Sequence, residues 1–427
     1  MASTANVTCP FCSLLCDDLA ALEQKQQISV SANACRLARQ GFSAPRPSSE
    51  ASLKGVPATT GQAVRATAKL LQKSRKPLVA GLGTDVDGIR AALQLAEMTD
   101  AALLHSQESQ SLHNLNALQA RGGIAATLAE VKNRADVIIF IGNNVCGDYP
   151  RFIERFINAP YALFAGQNRK LAYLGRPGRT ELAGCEDHEL VVISGRNDEI
   201  ADNLALLRTR LADRQLLDFS TVPAAKARKL EQVAGMIRDA QYGVLVWSPA
   251  AVPQDQADLV ISSAQDLLRD LNARQRFAGL SLGGSNGGAS WQSVATWQTG
   301  FPAAVDFNRG CPSGDGIHTA DVDSLLWISG FTEAAPPALD VPTVILSPYR
   351  AGANDADVYI PTGVPGIDHT GNLLRTDGVI SLPLKKLRDS GAQSAAGIIR
   401  EIISVIEGRR WRHGIRLDSR MRGNDGE

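Results

Sequence analysis

The sequence predicts an α/β protein of several lobes built on parallel sheets, preceded by a small cysteine-rich lobe. Three observations carry that expectation. Short apolar runs such as 137–141 and 243–247 recur along the chain, too uniformly apolar for strands with one wet face. Between them lie longer segments with apolar residues at helical spacing, the pattern of strand, crossover helix and next parallel strand. The chain has 427 residues, 44% of them hydrophobic, and at ~150 residues per domain this allows about three lobes.

The elements follow in order. Cys9, Cys12, Cys16 and Cys35, four of the seven cysteines, crowd the first 35 residues. Residues 41–53 hold two prolines and four serines without apolar periodicity and read as an ordered linker. Thr60 is placed to cap a helix with Ala63, Val64, Leu70 and Leu71 on one face, stopped at Lys76-Pro77. A buried strand at 77–81 turns through Leu82-Gly83-Thr84-Asp85 into a helix over 86–98, followed by a strand at 101–105. The grammar repeats as a helix over 128–133, strands at 136–142, 161–165 and 191–193, and a helix over 197–211. A second half offers helices over 224–240 and 255–272 and strands at 243–247, 277–280, 325–329 and 343–347. Asp136-Val-Ile-Ile-Phe-Ile-Gly and Asp323-Ser-Leu-Leu-Trp-Ile-Ser share one strand-to-loop pattern, which suits duplication and chance equally.

The expected division is 1–54 for the cysteine-rich lobe and linker, 55–215 and 216–350 for two α/β lobes, and 351–407 for a C-terminal lobe. Residues 408–427, with six arginines among glycines, read as a solvated or disordered tail, with an arginine-rich partner hook as the sharper alternative.

Charge narrows the partners. Lys plus Arg (44) equal Asp plus Glu (44), so no basic footprint draws nucleic acid or anionic lipid. No apolar run approaches the ~20 residues of a membrane helix, and the first residues include Asp17 and Asp18 without a basic segment, so a soluble cytoplasmic protein is expected. An odd cysteine count argues against a disulfide framework.

The chemistry concentrates in a few places. Cys9, Cys12, Cys16 and Cys35 are spaced C-x2-C-x3-C, then C after eighteen residues, four soft thiolates able to hold a four-iron four-sulfur cluster or zinc, or to persist as an empty remnant. Gly142, Asn143 and Asn144 follow a strand and could offer N–H groups to phosphate, as could Gly81 and Gly83, but tight turns need glycine there equally. The glycine-rich loop at 280–289 lacks the lysine of a P-loop and reads as a pocket lining. Cys146 reads as a small packing residue, Cys185 with His188 as a two-ligand fragment without consequence, and His369 as a structural hydrogen-bonder. No strand runs into G-x-G-x-x-G with a later acidic residue, which disfavours a nicotinamide dehydrogenase.

Taken together, the motifs resemble a known family. Cys9-Pro-Phe-Cys12-Ser-Leu-Leu-Cys16-Asp17-Asp18 with Asn33-Ala34-Cys35, the run from Thr127 to Ile138, Tyr149-Pro150-Arg151, the run from Thr299 to Phe307, and the segment from Ala356 through Gly371 and Arg375 to Gly378 are similar to the B-type chain of formylmethanofuran dehydrogenase. The resemblance implies the architecture of pterin-dependent molybdenum and tungsten oxidoreductases, with an N-terminal cubane cluster. It also implies a cysteine before histidine that ligates the metal, and here Ser111-Leu112-His113-Asn114 puts Leu112 in that place, without a lone pair. A family arginine after Gly-aromatic-Pro is matched by Ser313 after Gly310-Cys311-Pro312; Cys311 itself reads as no substitute ligand. Losing both groups resembles the branch found in bacterial formyltransferase/hydrolase complexes. The resemblance then implies a structural subunit with a degenerate redox pocket around Leu112, His113 and Ser313 and without molybdenum or tungsten pterin. Its partners would be A-, C- and D-type subunits and a methanofuran-type carrier, in the oxidation of formaldehyde to formate. The alternative is an active oxidoreductase subunit with metal, pterin and cluster, and the intact cysteine quartet supports it.

Overall fold

The computed structural model describes residues 2–30, 33–166, 168–212, 222–308, 312–314 and 317–412. Strands β1 (Ala2–Val7), β2 (Leu19–Gln24) and β3 (Gln27–Val30) form an antiparallel sheet, and α1 (Arg36–Phe42) follows. The expected linker at 41–53 is in part regular structure. It ends in β4 (Ala51–Leu53), which turns at Lys54 and Gly55, both at positive φ, into β5 (Val56–Ala58). Two left-handed residues in a two-residue turn match the twist of a hairpin, a signal that composition alone hides.

Helix α2 (Thr60–Lys73) is capped one residue earlier than expected. The Gln62 N–H donates to Thr59 Oγ1 at 3.3 Å and the Thr59 N–H to Gln62 Oε1 at 2.9 Å, a reciprocal box that Thr60 cannot make. Then come β6 (Pro77–Gly83), α3 (Val86–Thr99), β7 (Ala102–His105), α4 (Glu108–Arg121), α5 (Leu128–Arg134) and β8 (Val137–Ile141). The strand expected at 161–165 is instead an exposed loop, with Tyr161, Leu163 and Phe164 in solvent. The strand is β9 (Lys170–Leu174), which pairs in parallel with β8 from Val137↔Lys170 onward. A short apolar run does not by itself say which run finds the neighbour's backbone.

The chain continues through α6 (Arg179–Gly184), β10 (Glu189–Ile193), α7 (Ile200–Leu211), α8 (Ala224–Asp239), β11 (Gly243–Trp247), α9 (Ala257–Leu271), β12 (Phe277–Ser281) and α10 (Gly288–Thr299). It closes with β13 (Val305–Asp306), β14 (Ser324–Ser329), β15 (Thr343–Ser347), β16 (Val358–Pro361), the hairpin β17 (Gly371–Leu374) and β18 (Ser381–Leu384), and α11 (Ala395–Arg412). Residues 408–412 thus finish a helix, and the rest of the expected tail lies outside the described residues.

Two parallel sheets organise the molecule. The first runs β10-β9-β8-β11-β12; the second runs β13-β7-β6-β14-β15-β16-β4-β5, parallel from β7 to β16. Boundaries at 215 and 350 do not follow these sheets. The chain starts the second sheet with β4 to β7, leaves to build the whole first sheet, and returns with β13 to β16. Asp136 and Asp323 play the same local part, accepting backbone N–H groups just ahead of the adjacent parallel strand, at Gln241 and Tyr242 for one and at Arg75 and Lys76 for the other. Their strands hold different ranks, since β8 opens its sheet whereas β14 joins β6 from a later crossover.

Uniform apolarity in the strands has its cause in the cores. Ile138 and Phe140 face a core shared with Cys9, Cys12, Cys16 and Phe42, while Val137, Ile139 and Ile141 face one filled by α7, α8 and α9. The second sheet buries one face under α2, α3, α10 and α11 and the other under the loops around Ile317 and Leu339.

Candidate functional site

Cys9, Cys12 and Cys16 sit on the loop from β1 to β2. The Cys9 N–H donates to the Cys16 carbonyl at 2.8 Å, and the Leu15 N–H to that of Cys12 at 3.2 Å, which curls the loop inward. Cys35 stands at the N-cap of α1, and all four residues border one small cavity with Asn33, Ala38 and Arg151. Burial, then the neighbouring thiols, pushes the Cys9 thiol far up and that of Cys12 up to about 12. Burial also raises Cys16, against the pull of Arg155 and Arg151.

Such thiols become thiolates only around a strongly cationic centre. Among the described residues no three His, Cys, Asp or Glu side chains converge closely enough to hold one metal ion. Four thiols around one cavity form a soft donor set of the kind that holds an iron–sulfur cluster or zinc.

The loop is anchored by two arginines. Buried Arg151 grips Asp18 through Nη1–Oδ1 at 2.6 Å and Nη2–Oδ2 at 2.7 Å and also donates to Glu154, while Arg155 reaches Asp17 at 2.7 Å. Burial alone would raise the Asp18 carboxyl, but the bond from Arg151 and the charge of Arg155 hold it below the usual range.

Beside the cysteine loop lies a cleft of about 550 Å³ at the carboxyl ends of β11 and β12, reached also by Thr332 beyond β14. Phe11 of the cysteine loop and Leu37 of α1 form one wall. Ser13 Oγ donates to the Gly283 carbonyl at 2.5 Å, and the Thr376 N–H donates to the Ser13 carbonyl at 2.8 Å. Opposite, Asn114 of α4 joins both strands: Trp247 Nε1 donates to its Oδ1 at 2.8 Å, and its Nδ2 donates to Ser281 Oγ at 2.7 Å. Tyr149 closes the base, its phenol pushed up by burial and so kept as a neutral hydrogen-bonding group. Among the described lining residues Asp148 alone is charged.

The residues singled out in the sequence mostly lie elsewhere. Leu112 is 38% exposed, and His113 Nδ1 meets Asp258 Oδ1 of α9 at 2.7 Å; Ser111 and Asn114, one turn apart, line the cleft instead. Ser313 pairs through its backbone with Asp306 at 2.9 and 3.0 Å, and Gly310 and Cys311 lie outside the described residues. The N–H groups of Gly142, Asn143 and Asn144 donate to the carbonyls of Leu174, Ala251 and Arg176 at 3.0, 2.7 and 2.8 Å, so none is left for a phosphate. Gly142, at φ +125°, serves the turn. The glycine loop after β12 does line the cleft, through Gly283 and Gly284.

Cys146 and Cys185 are buried packing residues. His188 Nδ1 accepts from the Arg169 N–H at 3.2 Å, so its Nε2 donates to Asn158 Oδ1 at 2.8 Å, and His369 bonds the Thr370 carbonyl. Sequence reasoning missed Gln265, Tyr149 and Arg151 as parts of the site, although Tyr149-Pro150-Arg151 is one of the motifs that carry the family resemblance. A pairing between Asp18 and Arg151 leaves no mark in either local stretch.

A pair of pterin dinucleotides does not fit this cleft. Their diphosphates would meet no lysine or arginine among the described lining residues, a carboxylate at Asp148, and switch-point N–H groups already committed.

No family model matches the chain. It is 26% identical over 434 residues to the B-type chain of tungsten-containing formylmethanofuran dehydrogenase 2 of Methanococcus maripaludis, covering 94% of this chain and 98% of that one. The corresponding protein of Methanocaldococcus jannaschii is 28% identical over 432 residues, covering 94% and 97%. The B-type chain of the formyltransferase/hydrolase complex Fhc of Methylorubrum extorquens is 31% identical over 370 residues, covering 82% of this chain and 96% of that one. Among solved structures, a chain of the crystal structure of the formyltransferase/hydrolase complex FhcABCD from Methylorubrum extorquens with methylofuran superposes with a TM-score of 0.70 at 28% identity, covering 84% of this chain and 99% of that one.

Proposed function

The chain belongs to the family of B-type subunits of formylmethanofuran dehydrogenases and formyltransferase/hydrolase complexes, and on that premise we propose that it is the B-type member of a formyltransferase/hydrolase complex, with a structural role. Its partners are then the A-, C- and D-type subunits, and the assembled complex handles a methanofuran-type carrier in one-carbon oxidation. The observation that carries the structural role is the cleft wall: no thiol or imidazole and no cationic side chain stands among its described residues, and Leu112 is not part of it. A wall of amides, hydroxyls and carbon offers a soft metal no ligand.

The cysteine quartet is read as the seat of a four-iron four-sulfur cluster that holds the N-terminal lobe together, with no molybdenum or tungsten pterin beside it. The six described cysteines are all free thiols, which supports a reducing, cytoplasmic setting, and no helix among the described residues is long and apolar enough to cross a membrane. An active oxidoreductase role would account equally for the quartet but leaves the chemistry of the cleft without explanation. Metal analysis of the complex purified without oxygen separates the two. Iron near four atoms per chain with neither molybdenum nor tungsten is expected, and either of those metals near one atom per chain overturns the structural reading.

A further inference from the structure

Strands β8, β11 and β12 are parallel, so their amino ends share the edge of the first sheet that faces away from the cleft. A groove of about 840 Å³ runs along this edge, lined by Ile124, Arg134, Tyr242, Arg274 and Arg276 among others. Glu130 is the one carboxylate among its described lining residues, and it is already committed to the cap of its own helix, accepting from the Thr127 N–H at 2.9 Å and from Thr127 Oγ1 at 3.0 Å. Three arginines against one engaged carboxylate make the groove locally positive on a chain whose formal net charge is zero. Among the described residues neither Arg134 nor Arg276 is ion-paired with a carboxylate.

Arg134 also joins the groove to an apolar surface. Its guanidinium carbon stands 5.3 Å from the centroid of the Phe164 ring. Tyr161, Leu163 and Phe164 are 83, 75 and 72% exposed. The loop that carries them is fixed in place, since the N–H groups of Phe164 and Ala165 both donate to the Asn133 carbonyl at the end of α5, at 2.9 and 3.0 Å. Three large apolar side chains held in solvent are unfavourable until another surface covers them. Aromatic side chains beside arginine are also what the energetic centres of protein interfaces are made of.

We propose that this edge docks an acidic segment of another subunit of the complex, with its carboxylates on Arg134, Arg274 and Arg276 and its apolar side chains on Tyr161, Leu163 and Phe164. The proposal rests on the membership in a multisubunit complex proposed above. Charge complementarity selects the occupant: a groove admits an extended acidic chain, a flat lipid surface does not enter it, and a chain of zero net charge exerts no long-range pull on polyanions.

The test is made on the purified complex, with a photoreactive benzophenone amino acid at Leu163 and mass spectrometry of the cross-linked peptide. A cross-link to another subunit, within a segment of net negative charge, is expected. Arg134→Glu combined with Arg276→Glu is expected to weaken assembly at least about tenfold and to leave the thermal midpoint of the free chain unchanged, while Arg134→Lys with Arg276→Lys stays within about threefold. A cross-link to a neutral or basic segment, to a second copy of this chain or to lipid overturns the proposal, as does an intact complex with no cross-link or with assembly untouched by the charge reversal. A wild-type chain that assembles with no other subunit overturns the membership in a complex and this proposal with it.

Discussion

The backbone N–H of Asn143 donates to the carbonyl of Ala251 at 2.7 Å, tying the loop after β8 to the loop after β11 across the switch point of the first sheet. Two glycines make that approach possible. Gly142 lies at φ +125°, and a Cβ there would meet the Ala251 carbonyl oxygen at 2.7 Å; Gly175 lies at φ +140°, and a Cβ there would stand 1.9 Å from the Gly142 carbonyl oxygen. The crevice that could have admitted a phosphate is therefore closed by the protein's own backbone.

Gly175→Ala combines a forbidden φ with a backbone collision and is expected to cost more than about 2 kcal/mol in urea unfolding. Gly235→Ala, within α8 and with nothing within 4 Å of the added methyl group, is expected to act in the opposite direction, stabilising by about 0.5–1 kcal/mol. Equal effects from the two substitutions would contradict this account.

Arg388 and Asp368 form a fully buried pair, Nε–Oδ1 at 2.7 Å, with side chains 1% and 0% exposed. The guanidinium also donates to the carbonyls of Gln26, Ala44 and Pro45, so a single side chain from the segment after β18 ties down the β2–β3 turn and the chain after α1. Arg388→Ala leaves a buried carboxylate and three carbonyls without their donor and is expected to cost about 3–5 kcal/mol. Proteolysis should then cut first within residues 1–50; a loss below about 1 kcal/mol would show the pair to be dispensable.

His105 is buried at the end of β7. Its Nδ1 accepts from the Gln107 N–H at 3.1 Å, so Nε2 carries the proton and donates to the Asn286 carbonyl at 3.1 Å. Burial holds its pKa down to about 4, against an ordinary 6.5. Between these values the unfolded chain binds a proton that the folded chain does not. Stability is therefore full above about pH 6.5 and falls on acidification toward pH 4, by of the order of 3 kcal/mol from this residue. Urea midpoints measured from pH 7 to 4.5 should show the loss, and His105→Gln should flatten it.

The four N-terminal thiols are expected to act as one set. Cys12→Ser should remove most of the iron from the anaerobically purified complex, together with its charge-transfer absorption in the visible. Cys146→Ser, in a buried cysteine outside the quartet, should leave both intact. Equal iron in the two variants would show that the quartet holds no cluster.

His113→Ala is expected to leave assembly and the hydrolytic flux of the complex unchanged. The contact it loses, with the largely exposed Asp258, contributes about 0.2–1 kcal/mol at most. A large fall in flux with assembly intact would return His113 to the site.

The quartet, the paired sheets and the cleft differ in how legible they were. Strand runs such as 137–141 and 243–247 were plain because a strand buried on both faces has no polar positions to blur it. The run at 161–165 is also largely apolar, but its Phe164 and Ala165 N–H groups both turn to the one carbonyl of Asn133 instead of pairing along a strand, and Tyr161, Leu163 and Phe164 stay in solvent. In the sequence Leu112 reads as standing in a ligand's place, whereas the outward face it occupies on α4 was not legible there. A one-residue change of helical phase turns a side chain by about 100°, and packing against α9 and the turn at 249–251 sets that phase.

Local chemistry was determined by the sequence alone: four soft thiol donors within 35 residues, apolar strands, capping patterns, zero net charge, and the motifs that mark the family. Tertiary structure alone decided what depends on separated segments. It placed β6 and β14 side by side across the whole of the first sheet, bonded Arg151 to Asp18 and Arg388 to Asp368, and consumed the N–H groups of Gly142, Asn143 and Asn144. The physical reason is range. Helix caps and turns are settled by atoms within four residues, while the charge, donors and volume of a cleft are sums over walls that meet only when the chain has folded.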